Sequence, residues 1–312
     1  MRVVFFGTPE LAIPSLDAIS QRHDLCAIVC QPDRPQGRSS RLVAPPAKEW
    51  AMQHGVPVAQ PVKLNDGSFE VWLREQRPDI AVLVAYGRFL KPPILAVPAH
   101  GIINLHPSLL PLHRGPSPIQ TAVLNGDEMT GVTIMRLDEG MDSGDILLQE
   151  TASIAFDDTT ESLSQRLAAQ GAALLVRGLD LIASGAAVYT PQDHARATFT
   201  KLYEKSDGRI DWSRSARDIH NLVRAAIPWP VAFCKFRGET LRVHRTSLIG
   251  QTGQTGSIPG AITHTDKDCL LVATGDGLLA IHVVQAPGKR AMPVADFLRG
   301  HSIHAGEHLE SE

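Results

Sequence analysis

The sequence predicts a doubly wound α/β domain with a mostly parallel sheet, followed by a small β-barrel. Short β-branched runs alternate with helix-like segments in the first part of the chain, which is typical of βαβ units. The first of these strands ends at Gly7, and Thr8-Pro9 then starts a helix. Beyond Ile210, many short strand-like runs follow one another, separated by Gly, Pro and Asp, as in small barrels.

The α/β part contains single buried strands and one antiparallel pair. Single strands are expected at 2–7, 24–31, 79–85 and 101–105. The runs 131–138 and 145–150 alternate in polarity, which predicts an antiparallel pair at a sheet edge. The first helix has an apolar stripe made of Leu11, Ile13, Leu16 and Ile19, and a long amphipathic helix over 160–184 closes the domain.

The second part begins after a segment without sustained periodicity. We therefore expect one domain at 1–189, a linker at 190–206 and a second domain at 207–312. Ser213 is the predicted N-cap of a helix that buries Ile219, Leu222 and Val223. The strand-like runs that follow are VAFCKF, TLRVHRTSLI, GAITHT, CLLVAT and LLAIHVVQA.

Composition excludes several classes of protein. The chain has 312 residues, of which 43% are hydrophobic and 20% charged, so long disorder and fibrous repeats are excluded. No apolar run approaches the ~20 residues of a membrane span, so no membrane partner is expected. Four cysteines form no disulfide framework, which predicts a cytoplasmic setting. Cys26 and Cys30 are expected to be buried as small hydrophobes, and no metal site is expected.

Charge is unevenly distributed along the chain. Residues 1–200 hold 16 Lys and Arg against 21 Asp and Glu, whereas residues 201–250 hold 10 against 5. A second basic segment, PDRPQGRSSRLVAPPAK at 32–48, contains four prolines and is expected to form neither helix nor core strand. The first βα turn lacks the G-x-G-x-x-G pattern, which argues against NAD.

The chemistry-bearing residues lie in two stretches. Asn104 and His106 are two apart at a strand end, hence on one face. The run DEGMDSGD at 138–145 places Asp138, Asp142 and Asp145 among glycines. An amide, an imidazole and a carboxylate that converge suit acyl transfer to an amine, since the first two stabilise an oxyanion and the third helps to move protons. The alternative is structural: Asn and His as hydrogen-bonding groups, and the aspartates as turn formers.

The motifs of this region resemble a known family. N-x-H followed by P-S-L-L-P, with a later D-x-G-D, resembles the formyltransferases that use 10-formyltetrahydrofolate. Within that family, the resemblance to enzymes acting on methionyl-tRNA spans nearly the whole chain. It is carried by FGTPELA, QPDRPQGR, VAYGRFLK, INLHPSLLPLHRGPSPIQ, TGVTIMRLDEGMDSGDILLQ, RIDWSRSA, RAAIPWPVAF and VATGDGLLAI with QAPGKRAM. It implies a Rossmann-like catalytic domain and an OB-like C-terminal barrel that helps to hold tRNA.

The resemblance also implies site residues and substrates. Asn104, protonated His106 and Asp142 match the catalytic positions, and Asp142 is expected to keep the imidazole charged. The loop that contacts the folate is matched by Ser108, Leu109, Leu110 and Pro111. The expected formyl donor is 10-formyltetrahydrofolate, the expected acceptor is methionyl initiator tRNA, and the expected protein is a monomer without a metal. His113 departs from the aromatic or basic residue that is usual at its position.

The basic segment 32–48 is expected to contact tRNA. Its cations can bind phosphates or base edges, and its prolines limit the entropy lost on ordering. The four cations are Arg34, Arg38, Arg41 and Lys48, and the resemblance singles out Arg38. Two other functions remain open. A formyltransferase acting on an amino-sugar nucleotide leaves the basic segments unexplained, and a non-catalytic tRNA-binding protein leaves the Asn, His and Asp set unexplained.

Overall fold

A computed structural model describes residues 1–35, 42–250 and 256–311. The chain forms two compact units. The first unit consists of Met1–Pro118, Met129–Ser153 and Ser164–Lys201, and the second of Ile119–Glu128, Ile154–Leu163 and Leu202–Glu312. The units are therefore not contiguous along the chain, and the three-part division at 189 and 206 stays a prediction.

The first unit is built on a seven-stranded sheet in the order β5-β2-β1-β6-β7-β8-β9. Strands β5, β2, β1, β6 and β7 pair in parallel, and β8 and β9 extend the sheet as an antiparallel pair. This confirms the predicted α/β class and the hairpin at the edge. The strands are β1 (Arg2–Gly7), β2 (Asp24–Val29), β3 (Arg34–Pro35), β4 (Leu42–Val43), β5 (Val58–Ala59), β6 (Ile80–Val84), β7 (Ile102–His106), β8 (Met129–Arg136) and β9 (Ile146–Ser153), of which β3 and β4 pair separately.

Among the described residues before 184, six segments form α-helices. They are α1 (Ile13–Ser20), α2 (Pro46–His54), α3 (Ser68–Glu75), α4 (Pro92–Leu95), α5 (Pro118–Asn125) and α6 (Thr160–Ala183). The prediction that 32–48 contains no helix is wrong at its end, because α2 starts at Pro46. Proline is favoured in a first helical turn, where its missing N–H has no intrahelical partner to lose. Helix α2 ends at Gly55, whose φ of +68° suits a glycine C-cap.

The second unit contains an antiparallel sheet in the order β12-β13-β14-β11-β10-β16. A bridge between Ala261 and His308 joins the segments next to its two edge strands, so the sheet curls back on itself and confirms the predicted OB-like barrel. The elements are α7 (Ala216–Ala225), β10 (Ala232–Phe236), β11 (Glu239–Ile249), β12 (Ile262–Thr265), β13 (Leu270–Ala273), β14 (Leu278–Gln285), β15 (Met292–Pro293), α8 (Val294–Gly300) and β16 (Leu309–Glu310).

Helix α7 is capped by Ser215, so the prediction of Ser213 is wrong. The Ser215 hydroxyl accepts from the Asp218 N–H at 3.1 Å, as an N-cap does. The Ser213 hydroxyl instead donates to Asp211 Oδ1 at 2.6 Å in the turn before the helix. The two serines have similar sequence surroundings, but Asp211 engages Ser213, and Ser215 caps the helix.

Cys26 and Cys30 confirm the expectation of burial as small hydrophobes, and Cys234 is buried as well. Cys26, Cys30 and Cys234 are buried free thiols. Burial raises the pKa of Cys30 to about 11 and that of Cys234 to about 12, which keeps both protonated and unreactive at neutral pH. Over the described ranges, no helix is both long and apolar enough to cross a bilayer.

A buried histidine is expected to make the second unit less stable in acid. His220 on α7 is 1% exposed, its Nδ1 lies 2.9 Å from the Thr246 hydroxyl, and its ring stacks on Phe156. Burial, helped by the nearby Arg224 cation, lowers the pKa of His220 to about 4. An unfolded histidine titrates near 6.5. Between these values the unfolded chain binds the additional proton, so stability must rise with pH across that window.

We expect the free energy of unfolding to fall by about 3 kcal/mol between pH 6.5 and pH 4 through His220 alone. The variant His220→Gln removes the titrating group and should flatten this part of the pH dependence. Denaturant unfolding at several pH values, followed by the fluorescence of Trp212 and the other tryptophans, measures the slope. Equal slopes in the two proteins would show that His220 does not carry the effect.

Candidate functional site

Asn104 and His106 lie at the carboxyl end of β7, an interior strand of the first sheet between β6 and β8. Asn104 pairs with Leu83 of β6 on one side and with Met135 of β8 on the other. Because side chains alternate along a strand, both residues are on one face, and they are 5% and 4% exposed. Asn104 and His106 are therefore buried at the carboxyl end of the parallel strands, where α/β folds bind ligands.

Asp142 reaches the same point from the loop between β8 and β9. Asp138 organises this loop, because its Oδ1 accepts from the Gly140 N–H at 3.0 Å and from the Ser143 hydroxyl at 2.8 Å. Asp138 is thus a turn former, as its structural interpretation predicts. Asp142 itself has a φ of +49°, in the left-handed region, where a residue other than glycine costs about 1–3 kcal/mol. Such strain concentrates at functional sites.

The three predicted side chains converge. Asp142 Oδ2 lies 3.6 Å from His106 Nδ1, and Asp142 Oδ1 lies 3.5 Å from Asn104 Nδ2. The Gly115 N–H donates to Asp142 Oδ2 at 2.8 Å and fixes the carboxylate. The distances from the carboxylate to the imidazole and to the amide are longer than a good hydrogen bond, so the Asn104 amide N–H and the His106 Nδ1 atom remain available to a ligand.

Burial favours the neutral form of the His106 imidazole, whereas the resemblance implies a protonated His106. Burial lowers the pKa of His106, and the opposing effects of Asp142 and of the His113 carbonyl do not outweigh it. His106 Nε2 lies 2.9 Å from the His113 carbonyl oxygen, which only accepts, so the hydrogen is on Nε2. The Nδ1 lone pair then faces Asp142, and a proton entering between them is attracted by both groups.

The predicted folate loop is largely internal. Ser108 is 0% and Leu110 3% exposed, whereas Leu109 and Pro111 are half-buried. The Thr133 hydroxyl donates to the Ser108 carbonyl at 2.6 Å and accepts from the Leu110 N–H at 3.2 Å. Leu109 and Pro111 are therefore the two members of the predicted loop whose side chains retain accessible surface.

The predicted tRNA contacts separate into three cases. Arg34 is exposed on β3, and Arg38 and Arg41 lie outside the described residues. Lys48 lies on α2, and its Nζ donates to both carboxylate oxygens of Asp33 at 2.7 and 2.8 Å. Its ammonium is therefore engaged by Asp33 in this structure, and a contact between Lys48 and tRNA stays a prediction.

A cleft of about 680 Å³ opens at the carboxyl end of the parallel strands, the end of the sheet where the three catalytic candidates lie. Its walls come from the segments after β1, β2 and β6, including Thr8, Gln31, Arg34 and Ala85. Leu83 pairs with Asn104 in the parallel β6–β7 ladder, so the residues that follow β6 lie beside the end of β7. The cleft thus adjoins the strand end that holds Asn104 and His106.

Sequence reasoning missed the groups that hold these side chains in place. Two are backbone groups, the Gly115 N–H and the His113 carbonyl. A third is Gln192, whose amide contacts the Asp142 loop from the segment predicted to be a linker. Backbone groups carry no residue signature, and a single glutamine in an aperiodic stretch carries little. The glycine at position 115 was a signal in the sequence, because glycine is favoured where the backbone has a positive φ, and its φ is +110°.

Comparisons with known proteins establish the family of this chain. A family model described as "Formyl transferase" matches residues 1–179, and one described as "Formyl transferase, C-terminal domain" matches residues 203–302. A methionyl-tRNA formyltransferase from Acetivibrio thermocellus is 42% identical, with 99% of each chain covered. Another from Roseiflexus sp. strain RS-1 is 45% identical, covering 99% of this chain and 95% of the relative.

One solved structure shows the same fold at lower identity. It is an N-formyltransferase from Helicobacter canadensis in complex with folinic acid and dTDP-3-aminofucose. The TM-score is 0.69 at 19% identity, with 92% of this chain and 99% of that chain covered, and at this identity the likeness concerns the fold alone. The two domain matches and the full-length relatives are decisive for membership: the chain belongs to the formyl transferase family and, within it, to the methionyl-tRNA formyltransferases.

Proposed function

We propose that this chain transfers the formyl group of 10-formyltetrahydrofolate to the α-amino group of methionyl initiator tRNA. The observation that carries the proposal is the convergence of Asn104, His106 and Asp142 at the end of β7, within a methionyl-tRNA formyltransferase chain. The product is N-formylmethionyl-tRNA, the species used to initiate translation. The protein acts as a monomer in the cytoplasm.

The first step is attack of the amine nitrogen on the formyl carbon. A tetrahedral intermediate forms, and the former carbonyl oxygen becomes an oxyanion. Asn104 Nδ2–H donates to this oxyanion, since its 3.5 Å separation from Asp142 Oδ1 leaves the donor available. In a site that is 5% exposed at Asn104, such a donor is worth more than it would be in water.

The second step moves a proton. The attacking nitrogen becomes an ammonium, and the neutral Nδ1 of His106, backed by Asp142, accepts its proton. The resulting imidazolium lies against the Asp142 carboxylate, which stabilises it, and its charge in turn favours the oxyanion. The intermediate then collapses: the oxyanion re-forms the carbonyl, the bond from the formyl carbon to N10 of the folate breaks, and N10 takes the proton held by the His106 imidazolium. His106 returns to its neutral form and tetrahydrofolate leaves.

The acceptor end of the tRNA occupies the cleft beside β7, and the four residues 108–111 support the folate. In this arrangement Leu109 and Pro111 offer apolar surface to the folate, and the buried Ser108 and Leu110 hold the loop in place. The exposed Arg34 at the cleft wall contributes positive charge toward the phosphates. Arg38 and Arg41 extend this basic segment, on the sequence argument alone.

A direct acceptor comparison tests the proposed function. Purified protein is incubated with 10-formyltetrahydrofolate and either methionyl initiator tRNA or a dTDP-linked amino sugar, and formylated products are quantified by mass spectrometry. We expect rapid formylation of the methionyl-tRNA and no product from the amino sugar. The reverse preference would establish the sugar-nucleotide alternative, and tRNA binding without any transfer would establish a non-catalytic protein.

Arg34 and Lys48 should respond differently to substitution. Arg34→Ala removes an exposed cation, so the slope of tRNA affinity against salt concentration should decrease by about one unit of log–log slope. Lys48→Ala should leave that slope unchanged, because Lys48 is paired with Asp33. Filter binding of the tRNA at four salt concentrations measures both slopes. Equal changes of the salt slope in the two variants would refute the expectation that Arg34, and not Lys48, contributes charge to tRNA binding.

Arg38 remains the proposed determinant of tRNA choice. We expect Arg38→Ala to raise KM for initiator methionyl-tRNA and to lower kcat, with folate affinity little changed. Elongator methionyl-tRNA measured beside the initiator at two salt concentrations provides the control. If both tRNAs are weakened alike and only the salt dependence flattens, Arg38 is a phosphate contact without a role in discrimination.

A further inference from the structure

A buried amide links the two loops that organise the catalytic residues. Gln192 is 5% exposed, and its Nε2 donates to the Asp142 carbonyl at 2.9 Å and to the Gly144 carbonyl at 2.7 Å. Its Oε1 accepts from Arg114 Nε at 3.1 Å and from Arg114 Nη2 at 2.7 Å. Both amide hydrogens and both lone pairs of the oxygen are thus used.

Arg114 carries this link to the second loop. It is 4% exposed and lies between His113, whose carbonyl accepts from His106, and Gly115, whose N–H donates to Asp142. Its Nη2 also donates to Nδ1 of His194, because a guanidinium cannot accept. The chain near Gln192 reinforces the contact, since the Arg114 N–H donates to the Thr198 carbonyl at 2.9 Å.

The two loops are held in backbone conformations that other residues must enforce. Asp142 has a φ of +49° and His113 a φ of +59°, and neither is glycine. Gln192 binds the carbonyl of Asp142 directly and reaches the neighbour of His113 through Arg114. A single side chain therefore constrains both strained residues at once.

We propose that Gln192, acting through Arg114, is a positioning residue that holds the Asp142 carboxylate against His106 and Asn104 for formyl transfer. It touches neither substrate nor reacting atoms. Gln192 is expected to fix the distance between the Asp142 carboxylate and His106, which is 3.6 Å from Oδ2 to Nδ1. A displacement of about 1 Å at a catalytic group costs up to about 10²-fold in rate. This inference rests on the proposed function for its kinetic test, but its structural test does not.

The kinetic test uses Gln192→Ala and Gln192→Glu with Gln170→Ala as the control. Gln170 also donates two hydrogen bonds through its amide, to Glu150 and Thr151, and both of these partners lie on β9, outside the two loops of the site. We expect Gln192→Ala to lower kcat by about 10- to 100-fold with little change in KM, and Gln170→Ala to leave kcat unchanged. Gln192→Glu keeps the acceptor for Arg114 and loses the donors, so it should also be impaired.

A double-variant cycle with Asp142→Asn separates positioning from general damage. If Gln192 acts through the Asp142 carboxylate, Gln192→Ala should cost little more once that carboxylate is absent. An equal loss of kcat in both backgrounds would overturn the proposal, as would a kcat for Gln192→Ala within threefold of the wild type. Thermal unfolding of each variant shows that the rates compared are those of folded protein.

A measurement that needs no substrate tests the positioning role of Gln192 even if the enzyme formylates an acceptor other than methionyl-tRNA. NMR titration of the His106 ring reports its surroundings, where the Asp142 carboxylate raises the pKa and the His113 imidazole and burial lower it. In Gln192→Ala the displaced carboxylate should lower the pKa of His106 further, while Gln170→Ala should not. An unmoved or raised value in Gln192→Ala contradicts positioning, whatever the enzyme formylates.

Discussion

Asp142→Asn should fold normally and lose about 10²–10⁴-fold in kcat, the usual contribution of a positioned proton-transfer group. Asparagine retains an oxygen that can accept from the Gly115 N–H, and it tolerates the left-handed φ of +49° found at Asp142. The change therefore removes the charge and preserves the local structure. Steady-state kinetics with methionyl initiator tRNA measure the loss.

Asp145→Asn is the matched control for this prediction. Asp145 belongs to the same D-x-G-D turn, but its side chain is exposed and its structural contribution is a carbonyl that accepts from the Arg136 N–H. We expect its rate to remain close to that of the wild type. A comparable loss in both variants would attribute the effect to the turn, and a near-normal rate for Asp142→Asn would remove Asp142 from the mechanism.

Asn104→Ala should lower kcat by about 10²–10³-fold, as expected for the loss of one oxyanion donor. The effect should appear in kcat with KM for tRNA little changed, because the donor is needed where negative charge develops in the transition state. Binding of tetrahydrofolate, measured by calorimetry, checks that the buried site remains intact. A rise in KM with unchanged kcat would make Asn104 a binding residue and not a stabiliser of the oxyanion.

Much of the fold was predictable because hydrophobic periodicity reports burial directly. The strand β7 and the barrel strands β10 to β14 lie close to their predicted positions, since short apolar runs bounded by turn residues have few other structures open to them. The helix start at Pro46 was missed because proline within a basic, proline-rich run was interpreted as excluding a helix, although a first turn accommodates it.

The candidate site was predictable as a set of side chains but not as a working geometry. Period-two spacing placed Asn104 and His106 together, and the D-x-G-D resemblance added Asp142. The charge of His106 depends on burial by residues distant in sequence, and its tautomer depends on a backbone carbonyl. The contribution of Gln192 depends on 190–201 packing within the first unit, whereas an aperiodic stretch predicts only a connection.

In the proposed mechanism, Asp142 acts on formyl transfer through a buried, neutral His106. NMR titration of the His106 ring in the wild type and in Asp142→Asn tests it most directly, because both proteins should be folded and no substrate is required. In the wild type, the midpoint should lie below the usual histidine value of about 6.5, because burial outweighs the carboxylate. In Asp142→Asn it should fall further, because the carboxylate that raises the pKa of His106 is neutralised. A wild-type midpoint at or above the usual value, or one that Asp142→Asn leaves in place, would contradict the account.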